Sequence, residues 1–217
     1  MEEYLEENIT ESKCTPSLKN NFFWMFIGNA IYAACQWGML IVLAKLGSPQ
    51  IVGQFALASA IITPVIMITN MQLRNVQATD AKKEYFLSDY MAVRLFSTIV
   101  AFSLILLILY FGHFGRTVFL VTVILALAKS VESFSDVFYG FFQQHEKMTF
   151  MAISMIIKGI LSVVVLGTVF YFSSSLTWGL AGLSCAWMLV FVFYDWQMGR
   201  QLLRTAESVS RGSLITA

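Results

Sequence analysis

The 217-residue sequence is 58% hydrophobic and 12% charged, with a mean hydropathy of +0.71 and a formal net charge of +1. Soluble domains carry about 25% charged residues, so a single water-facing fold is excluded and lipid must cover part of the apolar surface. The near-neutral balance also excludes the basic footprint of a nucleic-acid-binding protein.

A membrane-crossing helix needs about 20 mostly apolar residues, and the chain holds six such runs. An acidic tail, residues 1–20, precedes them, with Glu2, Glu3, Glu6, Glu7 and Glu11. It lacks the basic start of a signal peptide, and its Asn8-Ile9-Thr10 sequon reads as a chance match. The first run, about 22–44, is uncharged and flanked by Lys19 and Lys45. Gly47-Ser48-Pro49 then predicts a turn, with Ser48 as N-cap and Pro49 at the first helical position. The second run, about 51–70, is interrupted by Pro64, which membrane helices tolerate as a kink. Residues 71–89 carry Arg74, Asp80, Lys82, Lys83, Glu84 and Asp89, and Tyr85 and Phe86 make the stretch amphipathic. It is expected to form an interfacial elbow, with Arg74 at lipid headgroups.

The third run, about 90–112, has Arg94 near its start, where a long side chain is expected to snorkel to the interface. The fourth, about 117–143, carries Lys129, Glu132 and Asp136 within it, and His145-Glu146-Lys147 makes a polar turn. The fifth, about 148–172, contains Lys158 and ends at Ser173-Ser174-Ser175. The sixth, about 176–196, is closed by Tyr194, Asp195 and Trp196, and residues 198–217 form a polar tail. The fold class is therefore an all-α membrane protein, a bundle of about six transmembrane helices occupying residues 21–197.

Lys and Arg in the loops set the orientation. With both termini inside, the inner segments hold Lys13, Lys19, Arg74, Lys82, Lys83, Lys147, Arg200, Arg204 and Arg211, against Lys45 and Arg116 outside. The bias predicts that the N- and C-termini are cytoplasmic.

The fourth run carries the chemistry. Lys129, Glu132 and Asp136 share one helical face, which Gly140 and Gln143 continue. Each charge at bilayer depth costs about 2.5–3.5 kcal/mol, and each large apolar residue returns about 0.3–0.6 kcal/mol. Such a face belongs against partner helices or a wet cavity rather than lipid. Lys158 has Ser154 and Ser162 one turn to either side, and Glu132 or Asp136 is its expected partner. Two readings stay open for these charges: a substrate or proton pathway, or ion pairs that stitch neighbouring helices. Asn29 and Gln36, seven apart on the first run, face the same cavity or glue helices together.

Cys14, Cys35 and Cys185 are scattered and suggest neither a disulfide framework nor a zinc site. His113 and His145 fall in separate loops, and no metal site is expected. The sequence has no Walker A, HExxH, haem CxxCH or GxSxG motif. No cofactor is expected, and the chain does not read as an enzyme.

Four blocks together carry a family resemblance: Gln36-Trp37-Gly38 through Leu43-Ala44-Lys45-Leu46-Gly47, Val52 through Ala58, Gln72 through Asp80, and Lys129 through Gly140. In this order they resemble the bacterial polysaccharide and O-antigen flippases, the Wzx-like branch of the multidrug/oligosaccharidyl-lipid/polysaccharide exporter superfamily. The likeness covers about residues 20–165. It implies a multi-pass protein of the bacterial inner membrane that moves undecaprenyl-diphosphate-linked oligosaccharide to the outer leaflet. Family members have two lobes of about six helices around a central cavity. The resemblance places Lys129, Glu132, Asp136 and Lys158 along that cavity, the lysines neutralising diphosphate and the carboxylates coupling to protons or sugar hydroxyls. This chain has the helices of one lobe, the N-terminal one, so it is expected to be a truncated product or a half-transporter that needs a second lobe or a second copy. A drug or metabolite antiporter of the same superfamily, or a non-transporting scaffold for polysaccharide assembly, are the alternatives.

Overall fold

A computed structural model describes residues 18–80 and 85–215, with side chains from Lys19 to Thr205. The acidic N-terminal tail with its sequon and Cys14, the elbow residues Lys82, Lys83 and Glu84, and the Arg211 side chain lie outside the described residues.

Every described element is helical: α1 (Leu18–Leu46), α2 (Pro49–Thr69), α3 (Leu73–Thr79), α4 (Leu87–Phe111), α5 (Arg116–Gln144), α6 (Met148–Ser173), α7 (Leu176–Val190), a π-helical segment (Phe191–Asp195) and α8 (Trp196–Ile215). Six stretches are long and apolar enough to span a bilayer, the last running from α7 into α8. The protein is a multi-span helical membrane bundle. Ser48 precedes α2 in extended conformation with Pro49 in the first turn, as expected, although its side chain makes no capping bond.

Two boundaries differ from expectation in ways that move functional residues. The Asp89 carboxylate accepts the Phe86 backbone N–H at 2.9 Å, which starts α4 at Leu87, almost one turn before the predicted Tyr90. Arg94 is thereby set two turns into the helix. The sixth span does not stop at its terminal polar residues either. A π segment inserts one wide turn and the helix then continues through Ile215.

The fifth helix, α5, is the hub, packing against α2, α3, α4, α6 and α7. In contrast, α1 lies along α6 and makes few contacts with α2. Small residues let α1 and α6 approach closely. A Cβ on Gly28 would stand 2.8 Å from the Ala152 Cα, and one on Gly159 would stand 3.2 Å from the Cys35 Cβ. The interior is layered along the helices. One apolar cluster gathers Leu43, Ile62, Leu125, Leu166, Leu180 and Trp187, and the other gathers Phe138, Phe142, Met151 and Met155. Between them runs a polar layer that includes Ser133, Ser135, Ser154, Lys158 and Ser162.

Candidate functional site

Two polar assemblies occupy this layer. The first is buried among α5, α6 and the π segment. Lys158 is 2% exposed and Asp195 is 0% exposed, and their charges meet at 2.6 Å. Lys158 Nζ also donates to Ser135 Oγ at 2.5 Å and to Tyr139 Oη at 3.0 Å, so its three N–H bonds are all taken. Ser154 donates to Asp195 Oδ1 at 2.5 Å, leaving Tyr139 as the donor in the 2.8 Å Tyr139–Ser154 bond. The ring closes: Lys158 to Tyr139, Tyr139 to Ser154, Ser154 to Asp195, and Asp195 back to Lys158. Ser162 adds a link on the same stripe of α6, donating to the Lys158 carbonyl and accepting from Trp187 Nε1 at 2.7 Å.

This corrects the expected pairing of Lys158 with Glu132 or Asp136. The partner is Asp195, which sequence reasoning placed at the closing interface of the last span. A carboxylate just past an apolar run normally faces headgroups. Here the π turn carries it onto the inner face, a placement with no signal in residue spacing. The Ser154 and Ser162 flanks of Lys158 do form the expected polar face.

The second assembly is an open groove. Its floor is the α5 stripe Lys129, Glu132, Asp136 and Gln143. Met25 and Tyr32 of α1 face it, through Gln143 at 3.5 Å from the Met25 sulfur and through Glu132, and Asn29 and Gln36 continue the α1 stripe at helical spacing. Lys129 and Glu132 pair at 2.7 Å on their own helix, and Tyr32 donates to Glu132 across the groove. Lys129 also lies 5.3 Å from the centre of the Trp187 ring. Asn29 is exposed and bonds only its own helix at Met25, while Gln36 is half-buried with an unpartnered Nε2.

At one end the groove widens into a cavity of about 400 Å³ lined by Met25, Met67, Asn70, Arg74, Arg94, Asp136 and Gln143. Both arginines depart from expectation. Arg74 is held inside by Asp136 at 3.8 Å, by Gln143 at 3.2 Å and over the Tyr139 ring at 5.6 Å, rather than at headgroups. Arg94 is 1% exposed and donates to Asn70, so it does not snorkel. The described part of the elbow is helical and packed. Its helix α3 docks on α5 with Gln77 pressed against Gly140, where a Cβ would stand 2.5 Å from Gln77 Oε1. Met71 and Gln72 adopt left-handed backbone (φ 48° and 51°) and make the sharp reversal that folds α3 back.

The structure thus brings Asp136 together with Arg74 and Arg94, keeps Lys129 and Glu132 as a pair further along the same groove, and seals Lys158 in a separate buried ring. Sequence reasoning missed Asn70, Tyr32, Tyr139 and Asp195. Tyr32 was legible in retrospect, three residues after Asn29 and four before Gln36 on the same stripe.

These features define a polytopic helical bundle with a polar groove between its helices. The chain belongs to the polysaccharide biosynthesis protein family, whose sequence profile matches residues 18–213. It is 29% identical over 182 residues to the capsular polysaccharide biosynthesis protein CapF of Staphylococcus aureus, covering 83% of this chain and 45% of that protein. The chain therefore spans a little under half the length of this curated relative. No solved structure matches. The resemblance to polysaccharide flippase-like proteins drawn from the four sequence blocks is borne out at the level of family.

Proposed function

We propose that the chain is a transport lobe that passes undecaprenyl-diphosphate-linked oligosaccharide across the bacterial inner membrane during polysaccharide or O-antigen synthesis. The observation that carries this reading is the polar stripe of α5. Lys129, Glu132, Asp136 and Gln143 occupy a membrane-spanning helix yet face an open groove rather than the packed interior. Charges at that depth are costly, and they suit a hydrated path for a charged, hydroxyl-rich headgroup. The family supports a role in polysaccharide biosynthesis.

In this reading both termini face the cytoplasm, and α3 and the wide end of the groove lie on the loading side. The groove is open, so in this reading a second lobe, from a longer chain or a second copy, completes the cavity. Membrane lipids cover the remaining apolar belt, which includes Leu95, Phe96, Ile99 and Leu107.

Complementation of a flippase-null strain tests the reading, scored by surface polysaccharide with the second lobe co-expressed. Lys129→Gln, Glu132→Gln and Asp136→Asn should each lose rescue while the protein stays at its normal membrane level. Full rescue by all three overturns the transport path. A drug antiporter of the same superfamily would instead restore dye or drug efflux without surface polysaccharide, and a scaffold would tolerate all three substitutions.

A further inference from the structure

Arg94 has more donors than the fold uses. It is 1% exposed and donates to Asn70, its Nε meets no acceptor, and no carboxylate stands within ion-pair distance of it among the described residues. A guanidinium offers five N–H donors in a fixed fork. Leaving most of them empty at membrane depth is costly unless something enters to fill them.

The 400 Å³ cavity runs directly past this group. Arg74 faces the same space, where its Nε donates to Gln143 at 3.2 Å and its terminal nitrogens have only weak partners. Its contact with Asp136 is 3.8 Å, beyond hydrogen-bond range, and its Nη2 rests 2.9 Å from the thioether sulfur of Met151, a weak acceptor. Two guanidiniums against one carboxylate leave the cavity with one net positive charge. The Asn70, Gln143 and Asn75 amides at its rim add neutral polar groups. Planar forks converging from two helices match tetrahedral phosphate oxygens, which they bind in bidentate fashion.

We propose that Arg74 and Arg94, with Asn70, form a binding site for a phosphate or diphosphate group, and that Asp136 is the counter-charge the incoming anion displaces from Arg74. The residues assigned to the anion are therefore the arginines at the elbow, and not Lys129, which Glu132 neutralises, or Lys158, whose donors are filled. The carrier of the phosphate rests on the transport reading above; the anion site itself rests on the unfilled arginine donors.

The test uses the full chain in dodecyl maltoside micelles, titrated with farnesyl diphosphate, inorganic pyrophosphate and farnesol, and followed by intrinsic tryptophan fluorescence. Loss of charge-assisted bonds worth about 1.5–3 kcal/mol corresponds to weakening by about tenfold or more. Arg94→Gln should weaken both anions by that factor, Arg94→Lys should weaken them less, and farnesol should be indifferent. Asp136→Asn should act in the opposite direction and tighten binding several-fold, a sign that a merely structural role for these residues does not produce. Lys45→Gln, at the far end of α1, should change nothing. Tighter binding of farnesyl diphosphate than of pyrophosphate assigns the site to a lipid-borne phosphate, and equal binding assigns it to the anion alone. Both support the site.

Anion affinities that ignore both Arg94→Gln and Asp136→Asn overturn it. Should Arg94→Gln fail to fold by gel filtration, Arg74→Gln replaces it under the same criterion. Full rescue by the three groove variants of the complementation assay, with anion binding that still responds to Arg94→Gln, sinks the transport reading alone. Loss of rescue by those variants, with anion affinities indifferent to Arg94→Gln and Asp136→Asn, sinks the site alone.

Discussion

Replacing Lys158 by Met removes a charge while keeping side-chain length, and the buried ring predicts an outcome out of proportion to one lost contact. Asp195 would remain fully buried with Ser154 as its donor and no cation. Breaking a buried pair from one side costs about 3–5 kcal/mol, because a bare charge is left behind. Removing both charges, Lys158→Met with Asp195→Asn, leaves only neutral groups. The remaining cost is that of a few lost hydrogen bonds, about 0.5–1.5 kcal/mol each. The double variant should therefore be the more stable of the two by about 2 kcal/mol, a difference set by the buried charge rather than by the count of contacts. Unfolding of the detergent-solubilised protein by sodium dodecyl sulfate, followed by tryptophan fluorescence, reads this difference. Adding Glu132→Gln to Lys158→Met should bring no such recovery, since Glu132 pairs with Lys129 and Tyr32. Strictly additive losses for Lys158→Met and Asp195→Asn would refute the ring, and recovery through Glu132 would reinstate the pairing expected from sequence.

Three further outcomes follow from the packing. Gly140→Ala forces a methyl group into Gln77, whose Oε1 would stand 2.5 Å away; overpacking of this kind costs about 1–3 kcal/mol, and hydrogen exchange of the 73–79 amides should quicken as α3 undocks. Gly28→Ala should lower the thermal midpoint in detergent, because its Cβ would meet the Ala152 Cα at 2.8 Å, whereas Gly53→Ala, with nothing within 4 Å, should not. Lys129→Gln should leave stability nearly unchanged while abolishing complementation, because its ion pair is a partly exposed one on a single helix.

The helices were legible because bilayer thickness fixes their length and composition, so runs of apolar residues had one reading. The α5 stripe was equally legible: three charges at helical spacing admit one face, and the structure puts that face in a groove. What could not be read was which side chains from other helices meet it. Lys158 has three carboxylates within reach by helix order, and only the π turn at Phe191–Asp195 decides among them. Arg94 looked interfacial because nothing in its neighbourhood marks the Asp89 contact that lengthens α4 toward the elbow. Arg74 looked exposed because the left-handed pair Met71–Gln72 contains no glycine to announce a reversal.

On the transport reading, water reaches the polar face of α5 between α1 and α2. In a cysteine-free background, single cysteines at Asn29, Asp136 and Gln143 can be exposed to a membrane-impermeant maleimide in membrane fragments open on both sides, with a cysteine at the exposed apolar position Leu107 for comparison. Rapid labelling is expected at the three groove positions and none at Leu107. Groove positions as unreactive as Leu107 would contradict it, and the path for a charged headgroup would be lost with them.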